Sequence, residues 1–128
     1  MLIGAIVFAA LAALVHGYIF VLETLRWEAP RTRAIFRTSE RDAATTRRLA
    51  ANQGVYNLML AVVTVVGILL ALPAPAVGAA LILVGTGCML GAAVYLAASD
   101  PRMLRAAATQ GAFPLIAVVL TVATLFAG

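Results

Sequence analysis

The sequence predicts an all-α integral membrane protein, a bundle of four transmembrane helices. Hydrophobic residues make up 64% of the chain and the mean hydropathy is +1.07, whereas roughly half of a soluble domain is apolar. Only 11% of the residues are charged, less than half of the roughly 25% that is usual. Four apolar segments of about 20 residues are each long enough to cross a hydrocarbon core of about 30 Å.

The four predicted helices occupy nearly the whole chain, which we interpret as one transmembrane domain. The first helix carries no Lys or Arg at its start, so it is expected to be a retained helix and not a signal peptide. Ser39 and Asp42 have the spacing of a capping box, which predicts a second helix that begins near Glu40. Asp100 followed by Pro101 is typical of a helix start. Within the domain 1–128, the predicted helices cover about 2–22, 40–72, 76–98 and 101–127.

The arginines predict the orientation of the bundle. All nine basic residues are arginines, and the net charge is +4. Seven of them lie between about Thr24 and Arg48, and the other two, Arg102 and Arg105, lie between the third and fourth helices. By the positive-inside rule both segments face the cytoplasm, which predicts an N-out/C-out multi-pass protein of the cytoplasmic membrane with a long cytoplasmic loop between the first two helices. This reading is more economical than a nucleic-acid partner, and we predict none.

Polar residues within the apolar segments indicate where a site would lie. Such residues are costly in a membrane and usually face the bundle interior or a cavity. All of them fall in the cytoplasmic halves of their helices, which predicts a polar ligand-binding or catalytic site at that depth. They are His16, Glu23, Asn52, Gln53, Tyr56, Asn57, Tyr95 and Gln110.

His16 and Glu23 are the candidate catalytic residues. They are two helical turns apart, so they share one face of the first helix at a separation of about 10 Å along the axis. A histidine titrates near neutral pH, and the pair is suited to handling protons or orienting a ligand. The alternatives are structural: a core histidine that donates to a neighbouring helix, and an interfacial carboxylate paired with an arginine.

The segment Asn52-Gln-Gly-Val-Tyr-Asn57 is the densest polar run and supplies candidate ligand-binding residues. Asn52 and Tyr56 stack one turn apart, as do Gln53 and Asn57. Gly54 lets another helix or a ligand approach the backbone. Because lipid offers amides no hydrogen-bond partners, the run is either an interhelical clamp or the wall of a polar cavity.

The third and fourth helices supply further candidate ligand-binding residues. Pro114 lacks an amide hydrogen and frees the carbonyl of Gln110, at about the level of Tyr95. Arg48 and Arg105 border this region. Arg102 borders it as well. These arginines contact either anionic headgroups or an anionic ligand, for which a guanidinium group is well suited.

Two contacts between helices are expected. The first, second and fourth predicted helices should meet in the cytoplasmic half around Glu23, Asn57 and Gln110. On the third helix, Gly87 and Gly91 form a GxxxG motif, which favours a close helix contact either within the chain or between chains.

The pattern of these residues resembles a known family. His16-x3-Phe20-x2-Glu23, the Asn-Gln-Gly-x-Tyr-Asn run and Gln110-Gly-x2-Pro114 are similar to the small bacterial membrane proteins catalogued as domain of unknown function 1304. The resemblance covers nearly the whole chain. It implies a four-helix architecture and no established activity.

The layout also resembles, more weakly, the membrane-associated proteins of eicosanoid and glutathione metabolism. Their second helix carries an Arg-x3-Asn-x2-Glu pattern, of which Arg48 and Asn52 match the first two positions, while Val55 stands where the glutamate would be. Tyr95 before an arginine-bearing loop matches as well. The resemblance implies a trimer that binds glutathione between subunits near the cytosolic face, and Val55 is a departure from that pattern.

Three functions are compatible with these features. The first is a polar ligand-binding or catalytic site in the cytoplasmic half of the bundle. The alternatives are an accessory or structural membrane subunit, and a small proton-coupled transporter in which Glu23 would be the carboxylate. The expected partners are the lipid bilayer, a small amphipathic or anionic ligand and further copies of the chain, as a homo-oligomeric trimer or dimer. The sequence indicates no metal site and no particular cofactor.

Overall fold

The structure, a computed structural model, describes residues 1–127, which are helical apart from short connections. Within these residues, four helical segments are long and apolar enough to cross a membrane, which confirms the predicted all-α four-helix membrane bundle. A π-helical turn, Val21–Leu25, extends the first helix, and a 3-10 turn, Pro101–Met103, precedes the last. The α-helices are α1 (Leu2–Phe20), α2 (Pro30–Phe36), α3 (Glu40–Leu70), α4 (Pro75–Ser99) and α5 (Leu104–Ala127).

The four long helices pack as a ring. α1 lies beside α3 and α5, and α4 lies beside the same two helices, so α1 and α4 are diagonal and touch only slightly. Leu2, Leu72 and Leu125 line one common cavity, which places the start of α1, the α3–α4 turn and the end of α5 together. The short helix α2 and the α4–α5 connection lie at the opposite end, called the arginine end below. Its predicted cytoplasmic orientation stays a prediction.

Small residues let the helices approach closely. Ala9, Ile82 and Ala117, from three different helices, form the centre of the core and are almost completely buried. Gly67 of α3 lies so close to α4 that an added Cβ would be 2.8 Å from the amide nitrogen of Ile82. Such contacts are typical of membrane bundles, because van der Waals packing must replace the hydrophobic driving force that is missing in lipid.

The buried threonine side chains of the long helices are satisfied within their own helices. Each donates a hydrogen bond of 2.6 to 2.8 Å to the carbonyl oxygen four residues earlier. These hydroxyl groups therefore do not hold one helix to another. The three residues are Thr64, Thr86 and Thr121.

The GxxxG motif of α4 faces outward from the bundle. A Cβ added at Gly87 or Gly91 would meet no atom of a neighbouring helix within 4 Å, whereas one added at Gly85 would collide with the side chain of Thr64 on α3. Cys88, between the two motif glycines, is exposed. Within residues 1–127, the close contacts between α3 and α4 are therefore made at Gly85 and at Gly67, and not by the motif.

Candidate functional site

Two separate polar features lie at the arginine end. The first is a junction between the π-helical turn and α3. Glu23, which is only 9% exposed, accepts a hydrogen bond of 2.8 Å at its Oε2 from Nδ2 of Asn57. The same Asn57 nitrogen lies 3.3 Å from the carbonyl oxygen of Gln53. This contact brings together one candidate catalytic residue and one candidate ligand-binding residue.

A glycine makes this junction possible. A Cβ on Gly54 would lie 3.0 Å from Cβ of Glu23 and would collide with the hydroxyl group of Thr24. That hydroxyl donates to the carbonyl oxygen of Ala51 at 3.1 Å. The π-helical turn and α3 thus meet backbone to backbone. Single π-helical turns in helices are frequent at functional sites.

The side chain of His16 is buried in the bundle, with 1% of its surface exposed. Its Nδ1 lies 3.0 Å from the carbonyl oxygen of Ala12. Because a carbonyl oxygen can only accept, Nδ1 carries the hydrogen of this bond. No hydrogen bond or ion pair joins His16 to Glu23 among the described residues. Their joint role in handling protons stays a prediction.

Several of the predicted ligand-binding residues lie on the outside of the single chain. Tyr56 is 61% exposed and Tyr95 is 75% exposed. The others in this group are also exposed: Arg48, Asn52 and Gln53. In the polar run of α3, only Asn57 bonds to the side chain of another helix. The structure therefore does not bring these five side chains to the junction at Glu23.

The second polar feature is a cavity of about 610 Å³ between α1, α2 and the start of α5. Two predicted residues, Arg105 and Gln110, line it. Its apolar wall includes Ile19, Leu22 and Leu96. Four arginines contribute to the lining, Arg31, Arg37, Arg102 and Arg105, and the lining contains no carboxylate. We call it the arginine-lined cavity.

One of these arginines is already paired. Asp100 accepts from Nε of Arg102 at Oδ1 and from a terminal nitrogen of Arg102 at Oδ2, both at 3.0 Å. Side-chain and backbone hydrogen bonds from Arg102 hold the pKa of Asp100 below its usual value, and the charge of Arg37 adds to the effect. Among residues 1–127, Arg31, Arg37 and Arg105 have no carboxylate within ion-pair distance.

Aromatic contacts position α2 against the rest of the arginine end. The Trp27 and Phe36 rings are 5.1 Å apart, and Phe36 lines the arginine-lined cavity. Nε1 of Trp27 donates to the carbonyl oxygen of Ala43 at 3.1 Å, on the part of α3 that precedes its apolar run. Arg37 ends α2 in the left-handed conformation, with φ of 52°. α2 is thereby held so that arginines at both of its ends reach the cavity.

Arg31 and Arg37 were not among the site residues predicted from the sequence. The arginines of this segment served there only to predict the orientation of the bundle. The available signal was the sequence Pro30 to Arg37, in which a proline suited to a first helical position is followed by apolar and basic residues one turn apart.

Comparisons with known proteins agree with the pattern read from the sequence. Residues 10–122 match the family described as "Protein of unknown function (DUF1304)". The matched range contains both the junction at Glu23 and the arginine-lined cavity. Comparison with curated proteins and with solved structures gave no match. The resemblance to proteins of eicosanoid and glutathione metabolism stays a prediction. Because the match spans most of the chain, this multi-pass membrane protein belongs to the DUF1304 family.

Proposed function

We propose that this protein binds an amphipathic anion in the arginine-lined cavity. The charged group of the ligand lies among the arginines, and its apolar part lies along α1 and α4 within the membrane. The arginine end faces the cytoplasm and the protein resides in the cytoplasmic membrane, so the ligand enters from the cytoplasmic leaflet. Arg105 and Gln110 keep the ligand-binding role that the sequence predicts for them.

The observation that carries the proposal is the combination of charge and apolar surface in one cavity. Its volume of about 610 Å³ lies within the range of small-molecule sites. Guanidinium groups form strong, often bidentate hydrogen bonds with carboxylates and phosphates. The described residues that line the cavity at the other end, about 380 Å³, include no charged side chain. The charged cavity is therefore the one suited to an anion.

Fluorescence of Trp27 tests the proposal directly. This is the single tryptophan of the chain, and its ring lies 5.1 Å from that of Phe36 in the cavity wall. The protein is placed in nanodiscs that contain either phosphatidylglycerol or phosphatidylcholine with brominated acyl chains, at equal mole fraction. Bromine quenches tryptophan at short range, so phosphatidylglycerol should quench more strongly than phosphatidylcholine.

Two matched variants separate the cavity from general attraction of lipid to a basic surface. Arg105→Gln removes one charge from the cavity lining, and Arg41→Gln removes one from an exposed position of α3 outside it. The excess quenching by phosphatidylglycerol should fall in the first variant and persist in the second. Equal quenching by the two lipids in the unmodified protein would refute the proposal.

We also propose that the protein is a homo-oligomer, as the sequence predicts. The outward-facing motif glycines of α4, Gly87 and Gly91, support this, since small residues favour close contact between helices in membranes. Exposed polar side chains at membrane depth, such as Gln53 and Tyr56, would gain partners in such an interface. The accessory-subunit and transporter hypotheses stay predictions.

A further inference from the structure

The arginine-lined cavity has an excess of positive charge in its lining. Arg31, Arg37 and Arg105 have no carboxylate partner in the described part of the chain, while Arg102 is engaged by Asp100. We infer that the ligand is a lipid whose head is a phosphate monoester, such as a phosphatidic acid. This inference rests on the proposed function and specifies the class of anion that the cavity takes.

Charge balance distinguishes a monoester from other anionic heads. A carboxylate or a phosphodiester carries one negative charge and leaves two of the three guanidinium charges without a counter-charge. Their mutual repulsion is larger beside a membrane than in water, because the dielectric constant is lower. A phosphate monoester carries about −1.5 to −2 at pH 7 and has three terminal oxygens that accept strong hydrogen bonds.

The three unpaired arginines that line the cavity come from two elements, α2 and α5. Arg31 lies at the start of α2, Arg37 at its end, and Arg105 on the first turn of α5. A monoester head offers three terminal oxygens to these guanidinium groups, one more than a diester does, and together they carry more negative charge.

The apolar wall indicates that the phosphate is attached to a lipid. Ile19, Leu22 and Leu96 line the cavity and lie on or next to helices that are apolar enough to cross a membrane. Free inorganic phosphate would leave this surface without contact. An acyl chain would cover it, and burial of apolar surface contributes roughly 25 cal/mol per Å².

The test compares two lipids by quenching of Trp27 in nanodiscs at pH 8. Phosphatidic acid and phosphatidylglycerol carry the same brominated acyl chains, and the phosphatidylglycerol fraction is doubled so that the surface charge is matched. Phosphatidic acid should reach half-maximal quenching at a mole fraction about tenfold lower, the factor expected from one additional charged hydrogen bond. At pH 5 the advantage should disappear, because the second phosphate pKa is about 6.

Variants assign the effect to the cavity. Arg31→Gln and Arg105→Gln should each raise the mole fraction of phosphatidic acid needed for half-maximal quenching about tenfold. Each should raise the corresponding mole fraction of phosphatidylglycerol less. Arg41→Gln, outside the cavity, should leave both lipids unchanged. All the substituted side chains are exposed, so the variants should fold, and size-exclusion chromatography checks this before the lipids are compared.

The outcomes separate this inference from the proposed function. If the two lipids quench equally at matched surface charge, the monoester is refuted and binding of an amphipathic anion stands. If neither lipid quenches more than phosphatidylcholine, both are refuted. If water-soluble glycerol 3-phosphate displaces phosphatidic acid at equal concentration, the acyl chain adds nothing and the ligand is a free phosphate ester instead of a lipid.

Discussion

The contact between the π-helical turn and α3 allows a direct test of how the bundle is held together. The perturbation is Gly54→Ala, the addition of one methyl group. The new Cβ would lie 3.0 Å from Cβ of Glu23 and 3.1 Å from the backbone nitrogen of Thr24, and it would collide with the Thr24 hydroxyl group. A backbone atom cannot rotate away from such a contact. The two helices must therefore separate.

The cost has two parts. Overpacking of this kind lowers the free energy of unfolding by about 1–3 kcal/mol. Separation also weakens the hydrogen bond from Asn57 to Glu23, now 2.8 Å, and the one from Thr24 to Ala51, now 3.1 Å. Each such bond contributes about 0.5–1.5 kcal/mol. With partial loss of both bonds, the expected destabilisation is about 2–4 kcal/mol.

The assay is reversible unfolding in mixed micelles, followed by circular dichroism as the denaturing detergent is increased. Gly17→Ala is the matched control, because a Cβ on Gly17 of α1 would meet nothing within 4 Å. Alanine is the better helix former, so this control should be equally stable or more stable by up to about 1 kcal/mol. If Gly54→Ala unfolds at the same detergent fraction as Gly17→Ala, the close approach at the junction is wrong.

Three other experiments test separate features of the chain. Asn57→Leu should destabilise the bundle by about 1–3 kcal/mol, because the buried carboxyl of Glu23 loses its hydrogen-bond donor. Adding Glu23→Leu should recover most of that loss in the same unfolding assay. If α4 is the oligomer interface, mild oxidation should produce a covalent dimer through Cys88, the only cysteine. A monomer on a non-reducing gel, from a sample that is otherwise oligomeric, would place the interface elsewhere. Asp100→Asn should release Arg102 into the cavity and strengthen quenching of Trp27 by anionic lipid, and unchanged or weaker quenching would contradict the pairing.

Long apolar runs made the four-helix bundle predictable from the sequence. A segment of about 20 apolar residues is helical in a membrane because the backbone must satisfy its own hydrogen bonds there. Local caps also have local signals. Ser39 accepts from the backbone nitrogen of Asp42, and Asp100 accepts from that of Arg102, as their spacing suggests. These features depend on neighbours in the sequence and need no knowledge of the packing.

The position of each polar residue around its helix was not predictable in the same way. The position of a polar residue along its apolar segment gives its depth in the membrane. Which neighbouring helix the residue faces depends on how the helices pack. Glu23 and Asn57 were expected to meet and do so. Gln110 lies at a similar depth but lines the arginine-lined cavity, and Gln53 is exposed. The expected single cluster is therefore divided between two faces of the first helix.

The short elements of the arginine end have at most weak signals in the sequence. α2 has seven residues, fewer than an isolated helix needs to be stable. It depends on tertiary contacts, such as that of Phe36 with Trp27. The π-helical turn Val21–Leu25 likewise has no local signal and accompanies the close approach of Gly54. Consequently Arg31 could not be assigned to a cavity before the position of α2 was known.

The division of polar residues between two faces makes stability and ligand binding separately measurable. Leu22 lines the arginine-lined cavity, while the next residue, Glu23, faces α3 and bonds to Asn57. If the junction is only structural, anionic lipid should quench Trp27 equally in the Glu23→Leu/Asn57→Leu double variant and in the unmodified protein. Arg105→Gln should leave the unfolding transition unchanged. If the stably folded double variant no longer binds lipid, the junction also supports the ligand-binding cavity, and the separation of stability from binding is refuted.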